Sequence, residues 1–99
     1  MFKIVYTAKA RKDYQKAKNS PLSVKILELL TMIETDPLQN PPPFERLTGN
    51  LSGAFSRRIN RQHRLVYKTL DNDAVFTDPS GELYKGIVVI IRLWTRYGG

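Results

Sequence analysis

The 99-residue chain has no cysteine and a single histidine. The first absence excludes a disulfide framework, a thiolate metal site and a thiol nucleophile; the second argues against a metal centre. Any chemistry is therefore expected to be metal-free or to use a borrowed ion, and no cofactor is expected. No apolar run approaches the ~18 residues of a membrane span, and the opening MFKIVYTAKARKDYQ lacks the long apolar region of a signal peptide. The expected location is the cytoplasm, with no membrane partner. Acids are scarce: 9 Asp and Glu stand against 16 Lys and Arg, for a formal charge of +7. From Phe44 to Leu70 there are six bases and one acid, Glu45. A basic stretch of this kind suits a polyanion, nucleic acid first and acidic protein segments second, or else is a solvated face.

What is present fits one domain over residues 1–99. With 41% hydrophobic and 25% charged residues, the composition is that of a packed globular chain. FKIVY reads as a strand. In TAKARKDYQKAKNS, Thr7 is a candidate N-cap and Ala10, Tyr14 and Ala17 share one helical face. SPLSVKILELLTMIETDP predicts a second helix with Ser20 as N-cap, Pro21 at the first helical position and an apolar stripe of Leu22, Ile26, Leu29, Leu30 and Ile33; Pro37 stops it. LQNPPPF is a connector, because successive prolines fix an extended backbone without donors. SGAFSRRIN and HRLVYKTL read as strands. GIVVIIRLWTRY is a long strand whose lack of alternation predicts a central, doubly covered position. The DNDAVFTDPSGELYKG between them predicts a hairpin tip or a small extra strand pair. The order predicts an α+β fold with two N-terminal helices packed on one face of a mostly antiparallel twisted sheet.

The segment SGAFSRRINRQHRLVYKTLDN, residues 52–72, holds five bases and the only histidine in what reads as a β-hairpin. Loop length decides which face each side chain takes, because a one-residue slip inverts every position. A two-residue loop at Arg61 and Gln62 mixes charge and core on both faces. A three-residue loop, Arg61 to His63, pairs Asn60 with Arg64. It sorts Phe55, Ile59, Leu65 and Tyr67 onto a covered face, leaving Ser56, Arg58, Arg64 and Lys68 on an open one. Arg57 is the exception, expected to snorkel from the covered side. Two guanidiniums on one open face can grip a phosphate with forked hydrogen bonds, or they are ordinary sheet-surface arginines. Glu45 at the edge of this field is either their salt-bridge partner or a general base beside a phosphate clamp.

PPFERLTGNLSGAFSRRINRQHRLVYKTLDN resembles the signature of the Txe/YoeB family of bacterial toxins in the RelE superfamily. That pattern includes a glutamate, LSG, SRRI, HRLVY and a C-terminal strand ending in an aromatic pair. The likeness is strongest through residues 41–72, and the segment FTDPSGELYKG is longer than the usual turn. The resemblance implies a messenger-RNA endonuclease that acts on translating 70S ribosomes and is neutralised by a cognate, YefM/Phd-like antitoxin; a homodimer is compatible with it. It also implies Glu45 as base on the ribose 2′-hydroxyl and Arg58 and Arg64 as holders of the scissile phosphate, giving a 2′,3′-cyclic phosphate and a 5′-hydroxyl without a metal. Arg57, Arg61, His63 and Lys68 are further candidates for RNA contact, His63 having a turn or packing role as its alternative.

At the C-terminus this chain departs from the pattern. Relatives end in a His-Tyr pair, whereas LWTRYGG places Arg96 where the histidine would stand and Tyr97 at the tyrosine. Arginine stays protonated and can stabilise charge but not exchange a proton near neutral pH. Tyr97 donating, Arg96 holding the leaving oxygen, or a form of reduced activity are the readings this leaves open. A non-enzymatic basic module that binds RNA or an antitoxin on the same fold is the competing function, separated from the first by whether Glu45 is needed. A helix-turn-helix DNA binder fits less well, since the arginines fall on strands.

Overall fold

The computed structural model describes the backbone of residues 1–95, and their side chains apart from those of 71–76 and 95. Strand β1 (Phe2–Tyr6) leads into helices α1 (Ala8–Ala17) and α2 (Ser23–Thr35), then β2 (Glu45–Arg46), a 3₁₀ turn (Gly49–Leu51), β3 (Ala54–Arg58), β4 (Arg64–Thr77) and β5 (Leu83–Thr95). The five strands form one sheet in the order β1-β5-β4-β3-β2. β1 lies parallel to β5 and the other pairings are antiparallel. This is the expected α+β arrangement.

Thr7 caps α1 as its position predicts: the Ala10 amide donates to its Oγ1 at 3.1 Å, and the same hydroxyl donates to the Ile91 carbonyl at 2.8 Å, tying the helix start to β5. α2 begins two residues later than Pro21. Ser20 is not its cap but closes a turn, its Oγ accepting from the Leu22 amide at 3.2 Å, and Leu22 takes the cap position. The predicted stripe otherwise holds. Ile26, Leu29, Leu30 and Ile33 are buried with Ala10, Ala17, Phe55, Ile59, Leu65, Tyr67, Val88, Ile90 and Leu93 in one cluster. Each fully buried aliphatic side chain here contributes about 1.5–3 kcal/mol.

β5 is an interior strand, between β1 and β4, rather than the middle one, and it is not covered on both faces. Val88 and Ile90 are fully buried towards the helices, whereas Ile87, Val89 and Ile91 on the opposite face remain part-exposed. Its apolar run is continuous because the open face is aliphatic too. Residues 74–86 resolve the choice left by the sequence: they are the far end of one long β4–β5 hairpin, with Phe76 opposite Tyr84 and Thr77 opposite Leu83 around a turn at Asp78. Asp78 organises that turn by accepting from the Ser80 and Glu82 amides and the Ser80 hydroxyl. The hydroxyl contact, first among the causes, holds its carboxyl below the usual carboxylate range.

Candidate active site

The hairpin closes differently in detail from its expected register. Arg58 stands opposite Arg64, Arg57 opposite Leu65, Ser56 opposite Val66 and Phe55 opposite Tyr67. The Ile59 and Asn60 amides both donate to the His63 carbonyl, at 2.9 and 3.2 Å. Asn60 Oδ1 accepts from the Gln62 and His63 amides at 2.9 and 2.7 Å, so an Asn side chain folds the loop. Against the expected Asn60–Arg64 pairing, β4 has slid by two residues. Because side-chain faces repeat every two residues, that slide keeps every residue on its expected face. Its consequence is to bring Arg58 and Arg64 directly across from each other.

Glu45 reaches the pair from β2, where it lies opposite Ser56. Arg64 Nη2 donates to Glu45 Oε1 at 3.3 Å, and Arg64 Nη1 donates to Ser56 Oγ at 3.1 Å. Ser56 is itself buried, so one end of the Arg64 fork is fixed to the sheet. The Glu45 side chain is 67% exposed, leaving its second carboxylate oxygen open to solvent. Arg58 is exposed and has no hydrogen-bond or ion-pair partner among the described residues. Pro43, Phe44, Glu45, Ser56, Arg58 and Arg64 line a cleft of about 270 Å³. Pro43, Phe44 and Ser56 were not singled out as site residues by sequence; Ser56 was placed on the correct face only.

Arg57 corrects an expectation. It neither snorkels nor presents its charge to solvent, since it is 1% exposed. Its Nε donates to the Tyr67 hydroxyl at 2.9 Å, Nη1 to the Pro42 carbonyl at 2.6 Å, and Nη2 to the Pro37 and Gln39 carbonyls at 3.0 and 2.7 Å. The guanidinium also lies over the Phe44 ring, 4.8 Å from its centroid. The Tyr67 hydroxyl in turn donates to the Pro37 carbonyl at 2.6 Å, and burial raises that phenol above its usual range despite the opposing Arg57 contact. A proline-rich connector has few amides with which to hold itself down, and the Pro37, Gln39 and Pro42 carbonyls are gathered by this one fork. Arg57 thereby anchors the segment that delivers Glu45, and it is not available for RNA.

Arg61 is exposed at the hairpin loop and Lys68 on the open face of β4, both outside the cleft lining. His63 stacks on Trp94. Arg96 and Tyr97 lie outside the described residues. Sequence reasoning missed Asp13, which is 5% exposed on α1. Its carboxylate accepts from Arg92 Nε and Nη2 at 2.8 and 3.2 Å and from the Leu93 amide at 3.1 Å. The signal was there: Asp13 is the single acid of a helix otherwise rich in lysine and arginine.

Against known proteins, residues 6–79 match the model of the YoeB-like toxin of bacterial type II toxin-antitoxin systems. The chain belongs to this family. A toxin YoeB of Streptomyces coelicolor is 39% identical over 75 residues, covering 74% of this chain and 89% of the relative. A toxin YoeB of Synechocystis sp. is 40% identical over 73 residues, covering 72% and 85%. Among solved structures, the YoeB-YefM complex from Staphylococcus aureus is similar with a TM-score of 0.69 at 29% identity, over 98% of this chain and 99% of that one. The YoeB dimer from the same species gives 0.72 at 30%, over 97% and 98%. A YoeB/ParE toxin from Agrobacterium tumefaciens shares the fold at 0.78 and 23% identity, over 97% and 100%. Family membership makes the chain a toxin of a toxin-antitoxin system.

Proposed function

We propose that this family member is a ribosome-dependent messenger-RNA endoribonuclease in which Glu45 is the base and Arg58 and Arg64 are the phosphate clamp. The observation that carries the reading is the placement of two facing arginines and one solvent-open carboxylate in a single cleft. The Glu45 carboxylate takes the proton from a ribose 2′-hydroxyl. The 2′-oxygen forms a bond to the adjacent phosphorus as the bond from phosphorus to the 5′-oxygen breaks, leaving a 2′,3′-cyclic phosphate. Arg58 and Arg64 stabilise the charge that builds on the non-bridging oxygens, where forked donors fit better than a point charge. Ser56 keeps the Arg64 fork from reorganising during the step. The departing 5′-oxygen needs a proton, for which Tyr97 is the candidate donor; the alternative is that Arg96 holds the charge on that oxygen until solvent supplies the proton.

A cognate antitoxin of the YefM/Phd kind is the proposed protein partner, supported by the YoeB-YefM complex among the similar structures, and the YoeB dimer supports self-association. Arg61 and Lys68 extend the basic field beyond the cleft and suit contacts to the RNA backbone. Purified protein mixed with programmed 70S ribosomes should cut the messenger at the ribosome, with cyclic or 3′-phosphate ends by end-group mapping. Intact messenger with the ribosomes fully occupied would overturn the enzyme in favour of a binding module.

A further inference from the structure

The only tryptophan of the chain sits in an unusual backbone. Trp94 has φ 60°, the left-handed region that a bulky residue enters only where its surroundings hold it there. The strand neighbours Leu93 and Trp94 both pack against the same core, although successive residues of a regular strand point to opposite faces. The left-handed turn permits this, next to register irregularities between β4 and β5 at Arg64–Val66 and Val66–Tyr67. The ring that is redirected lands on His63, with centroids 3.9 Å apart and planes 8° from parallel. Nδ1 of His63 is buried and has no hydrogen-bond partner among the described residues. The contact the structure shows for this ring is the stack.

We propose that the His63–Trp94 stack is an aromatic latch that fixes the end of β5 to the β3–β4 loop and so positions Arg64. His63 immediately precedes Arg64, and Thr95, which immediately follows Trp94, is the β5 residue that pairs with Arg64. The latch therefore brackets the clamp arginine on both strands. Trp94 is the next-to-last residue of β5, so the contact holds the end of that strand. His63 and Trp94 are positioning residues here, and the flat ring rather than the imidazole nitrogens is the property that matters.

The structural arm of the test stands apart from the endoribonuclease reading; the kinetic arm rests on it. In His63→Ala, amide exchange at the Arg64–Thr95 end of the β4–β5 ladder should quicken by roughly 2- to 10-fold, the range an aromatic pair supports. Core amides should not change, and Trp94 emission should shift. His63→Phe should restore both. Cleavage in a single turnover should fall in His63→Ala by up to about 100-fold, as a displaced clamp does, with ribosome affinity unchanged, and His63→Phe should recover the rate. Unchanged exchange and emission in His63→Ala would remove the latch. A changed exchange with a normal rate, or a His63→Phe enzyme that is latched but slow, would remove the positioning role, the latter pointing to imidazole chemistry. A wild type that never cuts would defeat the proposed function while the exchange and emission data still decided the latch.

Discussion

Arg58 and Arg64 face each other directly across β3 and β4, and among the described residues only Arg64 is tied down, to Ser56 on one fork and to Glu45 on the other. An exposed Arg58 beside an anchored Arg64 divides the clamp into one arm that can meet the phosphate and one already in place. Arg58→Ala should leave stability within about 0.5 kcal/mol, as for other exposed positions. Arg64→Ala should cost more, because it strips the buried Ser56 hydroxyl of its partner, by about 1–3 kcal/mol. Both should slow cleavage. Urea unfolding read beside single-turnover rates separates the two effects, and a folded, fully active Arg58→Ala protein would count against the clamp.

Glu45→Gln keeps the side chain's size while removing the charge and the base. The Glu45–Arg64 pair is exposed on the Glu45 side, so its loss should change stability by no more than about 1 kcal/mol. Cleavage should drop by ~100-fold to 10,000-fold if the carboxylate takes the 2′-proton. Ribosome affinity, measured by co-sedimentation, should hold or rise slightly as a negative charge leaves the basic field.

Arg57→Ala should behave as a folding variant. It deletes the fork that holds the Pro37, Gln39 and Pro42 carbonyls, with an expected loss of about 3–5 kcal/mol in chemical denaturation. Lysine should not rescue it, since an ammonium cannot span donors set by a planar guanidinium. A variant that stays stable yet loses RNA affinity would reverse the assignment made for this residue.

Asp13→Ala removes an acceptor of Arg92 and that of the Leu93 amide. Arg92 retains 30% side-chain exposure, so the cost should be about 1.5–3 kcal/mol, below that of a fully buried pair. Thermal unfolding gives the number, and an unchanged midpoint would show that the α1–β5 tie contributes nothing.

Arg96→His tests the departure from the family pattern. If proton delivery to the 5′-oxygen limits the rate, histidine should raise single-turnover cleavage, with ribosome binding little altered because fifteen of the 16 basic residues remain. Equal rates would assign the proton to Tyr97 or the ribosome; a slower histidine variant would give the arginine an active part of its own.

The two-residue period of a strand is local, and for that reason the sequence by itself determined which hairpin side chains share a face. Arg58 and Arg64 were legible together on the open side even though their pairing was placed two residues away, and the Thr7 cap and the Ile26–Ile33 stripe followed from equally local rules. Partners that meet only when the chain returns from a distance carried no such signal. Tertiary structure alone decided that Arg57 is buried under carbonyls 15 to 20 residues upstream, that Asp13 binds Arg92 from 79 positions away, and that His63 finds Trp94. For the two charged side chains the deciding quantity was desolvation. A charge taken out of water must find donors or acceptors wherever the fold supplies them, and their identity is a property of the folded chain rather than of the residues beside it.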